Sequence, residues 1–184
     1  MRTERADAAR NRAAILDAAA RLFQEHGPDA VSMDAIAAEA GVGKGTLFRR
    51  FGDRAGLAVA LLDERERALQ EAILSGPPPL GPGAPAPERL VAFAGAYLDF
   101  LLPHLELVRQ AEATARHEVG AYKFWHLHAR IQLAATPDPD FAAHALLASL
   151  SAAHVAAVLP QLGEERVRRG VERLARALLP PADR

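Results

Sequence analysis

The chain has 184 residues, half of them hydrophobic, a formal net charge of −1 and no cysteine. That is enough length and apolar content for one or two domains with real cores, which argues against a disordered chain. The lack of thiols excludes a disulfide framework and a cysteine-based zinc knuckle, and is compatible with a cytoplasmic protein. Ala, Leu, Arg and Glu dominate over β-branched and aromatic residues, so the predicted fold is all-α.

The opening MRTERADAAR has no apolar run and does not read as a signal peptide. A first helix is predicted from about Ala9 to His26, with Ile15, Leu16, Ala19, Leu22 and Phe23 on one face and Gly27-Pro28 closing it. From Ser32 to Phe51, SMDAIAAEAGVGKGTLFRRF, the pattern becomes two short helices around a Gly-Val-Gly turn. Ser32 stands where an N-cap hydroxyl belongs, Asp34 suits the positive helix end, Ile36, Ala37 and Ala40 form an apolar face, and Gly41 supplies the left-handed residue that stops the helix. In the second helix, Thr46, Arg49 and Arg50 share one sector and Leu47 and Phe51 the opposite one. One face docks and the other is free to read, the sequence shape of a DNA-binding helix-turn-helix.

Charge supports this. Lys44, Arg49, Arg50 and Arg54 face only Asp53 between Gly41 and Gly56, and Arg2, Arg5, Arg10 and Arg12 outnumber Glu4 and Asp7 at the N-terminus. Such clusters are what counterion release on DNA requires. The residues predicted to bind duplex DNA are Ser32, Lys44, Gly45, Thr46, Phe48, Arg49, Arg50 and Arg54: side chains of Thr46, Arg49 and Arg50 to the major groove, and backbone amides at the helix start with Lys44 and Arg54 to phosphates.

The segment from Arg12 to about Leu69 resembles the DNA-binding domain of the TetR family of bacterial transcriptional regulators, on Ile15 to Phe23, Gly27, Ile36-Ala37, Ala40-Gly41-Val42, Lys44 to Phe48 and Phe51. Gly43, Phe48 and Arg50 depart from the family's usual Ser, Tyr, and His or Tyr, so a side-chain helix cap and a phosphate-contacting hydroxyl are not expected. The resemblance implies about nine helices: a DNA-binding domain over 9–69, with its motif at 32–51, and an effector-binding and dimerisation domain over 70–184.

After Gly52-Asp53, a turn and N-cap, a fourth helix is predicted to about Leu74 and to serve as a lever between domains. Ser75 to Pro87, with six prolines and three glycines, reads as a semi-extended mobile loop. Pro87 and Glu88 open a helix carrying Leu90, Phe93, Ala94, Tyr97, Leu98 and Leu101 at helical spacing, ended by Pro103. Helices follow from about His104 to His117, and after Gly120 through Phe124, Leu127, His128 and Ile131 to a stop at Thr136-Pro137.

Phe141 to Gly163 has no charged side chain, long enough for a membrane span, yet its alanines, serines and histidines favour one buried helix. No membrane partner is expected. Leu147, Leu150, His154 and Val158 form one face; Ala145, Ser149, Ala152 and Ala156 form a small-residue face. A last helix, from about Glu164 to Leu179, aligns Val167, Val171, Leu174 and Leu178. The small-residue face and these four residues are the predicted homodimer interface, a four-helix arrangement that the resemblance also implies. Phe93, Tyr97, Phe100, Trp125, His128 and His154 mix aromatic and polar groups in aliphatic helices, which suits a pocket for a small, largely apolar effector.

Enzymatic chemistry has no motif behind it. Gly43-Lys44-Gly45-Thr46 fails as a phosphate-binding loop because position 38 is Ala, position 45 is Gly, and a helix rather than a strand precedes it. His126 and His128, with Glu112, His117 and Glu118 near in sequence, lack metal-ligand spacing, since two residues apart on a helix means opposed directions. No metal or cofactor is therefore expected. The expected function is a ligand-responsive repressor that binds a palindromic operator as a homodimer. The alternative is a helical small-molecule-binding protein or enzyme whose helix-turn-helix is only structural.

Overall fold

The computed structural model describes residues 2–28, 30–109 and 120–180. Among these there are nine α-helices and no strand. The chain divides after Arg65 into two compact units.

In the first unit, α1 (Arg2–His26) starts earlier than predicted, because no breaker separates MRTERADAAR from the amphipathic stretch that follows. It buries Ile15, Leu16, Ala18, Ala19 and Phe23. α2 (Met33–Glu39) lies against α1 and contributes Met33, Ile36 and Ala37 to the same core. α3 (Lys44–Phe51) lies against α2 and inserts Leu47, fully buried. α4 (Arg54–Ser75) begins in this unit. The Asp53 carboxylate accepts from the Gly56 N–H at 2.8 Å, the cap predicted there, and Leu57 and Leu61 are fully buried.

In the second unit, α5 (Ala86–Leu101) packs against α6 (Gly120–Gln132) and α9 (Glu164–Ala177), while α7 (Pro139–Ser149) packs against α6 and α8 (Ala152–Leu162). Pro103 does not end the helical rod. A 3-10 turn at Leu102–His104 takes the proline near its start, where a missing N–H costs little, and the helix runs on to Arg109. The rest of the helix expected to His117, with Glu112, His117 and Glu118, lies outside the described residues. The segment Ala86–Arg109 is long and apolar enough to cross a membrane, but half of its apolar window is buried inside the chain, as in a core helix.

Two further expectations are corrected. The loop after Ser75 is pinned: the Arg89 guanidinium donates to the carbonyls of Ile73 (3.1 Å) and Leu80 (3.3 Å), and the Gly81 N–H donates to Pro77. A Cβ at Gly81 would collide with the Gly76 carbonyl, so this turn closes only on glycine. The uncharged stretch after Phe141 is two helices, α7 and α8, bent by 53°. The break is a serine cap: Ser151 Oγ accepts from the His154 N–H at 3.2 Å, and Ser149 Oγ donates to the Leu146 carbonyl at 2.6 Å.

Candidate nucleic-acid interface

The geometry of Ser32 to Phe51 follows from three local devices. Ser32 Oγ accepts from the Ala35 N–H at 3.1 Å and starts α2. At the other end the Val42 N–H reaches the Ala37 carbonyl (3.0 Å) and the Gly41 N–H reaches that of Ala38 (3.2 Å), with Gly41 at φ +65°. That is a Schellman closure, which needs a residue without a Cβ at its left-handed position. Val42 and Gly43 then carry the chain into α3, whose first turn is held by the Gly43 carbonyl, with no side-chain cap. The sequence departure at Gly43 therefore has the expected consequence. Buried Leu47 fixes α3 from below, leaving Gly45, Phe48, Arg49 and Arg50 exposed and Thr46 half-buried.

The charged side chains are not idle in the free chain. Lys44 Nζ lies 2.7 Å from the Asp34 carboxylate and 5.9 Å from the centroid of the Phe48 ring. Phe48, 40 % exposed, thus lies under an ammonium on the outer side of α3 rather than packing inward. Arg50 Nη1 donates to the Ala8 carbonyl at 2.6 Å, which ties α3 to α1. Arg12 stands over the Phe51 ring at 5.8 Å and strengthens the same seam. Arg49 projects from the exposed side of α3, and Arg54 is half-buried at the start of α4. The sequence reading missed Asp34 as a partner of Lys44 and Ala8 as a partner of Arg50; nothing in residue spacing shows either.

In the second unit the expected effector residues come together, with one exception. Phe93, Tyr97, Phe100, Trp125 and His128 are all buried. Phe93 is the hub: its ring lies 5.0 Å from His128, 6.0 Å from Tyr97 and 6.2 Å from Trp125, centroid to centroid. These are edge-on and tilted contacts of a packed aromatic cluster. His154 is not in it, because the kink at Ser151 turns it to the surface. His128 Nε2 is buried without a hydrogen-bond partner. Burial, followed by the charge of Arg89, pushes the His128 pKa down from 6.5 to about 4, so the ring is neutral at pH 7. A groove of about 530 Å³ also opens in this unit, between Pro79, Val91, Ala92, Arg176 and Leu179 among others.

The expected dimer residues divide. Val167 and Val171 are buried on the side of α9 that includes Ala175, in a helix that packs on α5; they belong to the chain's own core. Ala152 is also fully buried, whereas Ala145, Ser149, Ala156, Leu174 and Leu178 are half-buried.

The first unit is thus a helix-turn-helix domain with its second helix presented outward, followed by an all-α second unit. Residues 15–61 match the family described as "Bacterial regulatory proteins, tetR family". An HTH-type transcriptional regulator from Staphylococcus aureus (strain USA300) is 47 % identical over 53 residues, 29 % of this chain and 29 % of that protein. The curated relatives are therefore matched over less than a third of their length. Solved structures extend the likeness to the whole fold. The fatty acid degradation regulator FadR of Bacillus halodurans gives a TM-score of 0.67 at 18 % identity, covering 94 % of this chain and 96 % of that one. A regulator from Saccharomonospora viridis in complex with choline gives 0.69 at 20 % identity, covering 88 % and 93 %. Residues 15–61 are thus a DNA-binding domain of the TetR type, and the fold of the chain as a whole is that of the TetR-like regulators it resembles.

Proposed function

We propose that the chain is a ligand-responsive repressor that binds a palindromic operator as a homodimer and is released by a small, largely apolar effector. The observation that carries the reading is α3 itself: Leu47 anchors it, and Thr46, Arg49 and Arg50 lie together on its outer side with Lys44 at its start. Arginine offers guanine a bidentate contact in the major groove, and lysine at a helix start suits phosphate. One short helix reads too few bases to select a site in a genome, whereas a two-fold pair reads two half-sites about one helical turn apart, or a multiple of it.

For the dimer, α7 and α8 offer a surface free of charge from Phe141 to Gly163 that still exposes Phe141, Ala153, His154, Ala157 and Leu162. An uncharged, partly apolar surface of this kind suits self-association. For the effector, the orphan Nε2 of neutral His128 among Phe93, Tyr97 and Trp125 offers one polar handle in an apolar cluster. An effector that parts these rings and bonds to that nitrogen would satisfy both demands. The Saccharomonospora viridis regulator, similar in fold and solved in complex with choline, supports a small organic ligand as the effector. A protein acting on DNA in this way would work in the cytoplasm.

The test is binding selection on random duplex DNA, followed by titration of the selected site with wild-type protein and with a Lys44→Ala, Arg49→Ala, Arg50→Ala triple variant. A palindrome is expected, and loss of specific binding in the variant. Unchanged binding by the triple variant would sink the assignment of α3 as the reading element.

A further inference from the structure

On the far side of α6 from His128, a second group of polar rings assembles. Tyr122 and His126 are four residues apart on α6, and Asp140 and His144 are four apart on α7, so each pair shares one helix face. α6 and α7 pack against each other and bring the two faces together. His126, Asp140 and His144 each offer a ligand atom, and these atoms lie within 4.8 Å of one another. His126 Nε2 is 3.5 Å from Asp140 Oδ1, and the two imidazole rings are 4.1 Å apart between centroids.

We propose that His126, Asp140 and His144 form a binding site for a divalent first-row transition ion of the zinc type, with Tyr122 as a positioning residue. Around a tetrahedral zinc with bonds of about 2.0–2.2 Å to nitrogen and oxygen, neighbouring ligand atoms stand roughly 3.3–3.5 Å apart. The His126–Asp140 pair already has that spacing, and a small side-chain rotation of His144 would complete the set. Two imidazoles, which are borderline donors, beside one carboxylate match zinc, nickel, copper or iron better than magnesium or calcium, which prefer oxygen alone. The arrangement also has the outer partner that ligating histidines usually have. The Tyr122 hydroxyl lies 2.7 Å from His144 Nδ1. With Nδ1–H donating to that oxygen, the lone pair of His144 is left on Nε2, free for an ion. Tyr122 stacks against both imidazoles as well, which limits their rotation. Three protein ligands leave further positions for water or another donor. An ion here would cross-link α6 to α7.

The competing account is an ordinary ion pair of His126 with Asp140 beside a Tyr122–His144 hydrogen bond. Titration of the chelator-stripped full chain with zinc chloride by calorimetry, and with cobalt chloride by visible absorption, separates the two. The site predicts one ion per chain and a cobalt spectrum of low coordination number. His126→Ala, His144→Ala and Asp140→Asn are each expected to weaken zinc binding at least 10-fold, and Tyr122→Phe by 10- to 100-fold with the stoichiometry kept. His26→Ala, an exposed histidine outside the group, is expected to leave zinc binding unchanged. His126 and His144 lie outside the buried core, and far-UV dichroism equal to wild type checks that each variant folds. Zinc binding that survives unaltered in the His126→Ala, His144→Ala double variant overturns the proposal. So does a wild-type chain that takes up no zinc at micromolar concentration, or one that takes up magnesium equally well.

Discussion

Lys44, the first residue of α3, is paired with Asp34 of α2 across 2.7 Å, so its ammonium already has a counter-charge in the free chain. In the proposed phosphate role, DNA would have to compete with a carboxylate for it. Asp34→Asn is therefore expected to tighten binding to all sequences alike, and Lys44→Ala to weaken all alike and lower the salt slope by about 1. Both side chains are more than half exposed, so either change should alter stability by less than about 1 kcal/mol. Fluorescence anisotropy across a salt series, with operator and scrambled duplexes, reads these slopes; a sequence-dependent effect of Asp34→Asn would contradict the phosphate role.

Arg49 and Arg50 should differ in kind from Lys44. Loss of a bidentate guanine contact costs about 1–3 kcal/mol and relaxes preference at one base pair. Arg49→Ala is expected to show that pattern. Arg50 first has to leave the Ala8 carbonyl, so Arg50→Ala carries a second signature: weaker attachment of α1 to α3, visible as faster amide exchange at the start of α1. Competition titrations with single-base operator variants would expose the difference, and equal losses on every duplex would reassign both arginines to the backbone.

A charge placed on exposed α8 and one placed on the buried side of α9 should have opposite outcomes. Ala157→Glu, on exposed α8, is expected to give folded monomers that bind one half-site weakly. Val171→Asp puts an unpaired charge into the core that α9 makes with α5 and should unfold the second unit instead. Light scattering together with dichroism distinguishes the two; a fully dimeric Ala157→Glu chain would move the interface elsewhere.

His128 makes stability depend on pH in a stated direction. Its folded pKa, about 4, lies below the ordinary 6.5. Between these values the unfolded chain takes up a proton that the folded chain refuses, so stability falls as pH drops from about 6.5 to about 4 and levels off beyond. The full effect is on the order of 3 kcal/mol, from about 1.4 kcal/mol per pH unit. His128→Leu removes this dependence and the orphan polar atom together, so it should match or exceed wild type at pH 7 and gain further at pH 4.5. Trp125, the single tryptophan and a neighbour of Phe93, reports urea unfolding of this unit. Parallel acid losses in the two chains would remove His128 as the cause.

The DNA-binding motif was legible because its determinants are local: Ser32 caps, Gly41 closes and Leu47 anchors within a span of twenty residues or so, and each residue type has few other uses there. The aromatic cluster was legible in part, since helical spacing puts Phe93, Tyr97 and Phe100 close along α5. His154 was misassigned because the break at Ser151 has no glycine or proline to announce it; a serine cap inside an alanine-rich run reads like any helical serine. Val167 and Val171 form the apolar stripe expected, but periodicity says only that a stripe is covered, not whether the cover is α5 or a second chain. For the same reason sequence spacing offers His126 only its neighbours in sequence, whereas Asp140 and His144 arrive from another helix.

Arg89 reaches back across the proline-rich loop to the carbonyls of Ile73 and Leu80, which makes that loop a clasp. The stretch whose composition most resembles a flexible tether is one of the places where the second unit is locked. Lengthening it with glycine and serine, a change that loops commonly tolerate, would here release the end of α4 from the start of α5, and the groove beside Pro79 and Pro87 would lose one of its walls.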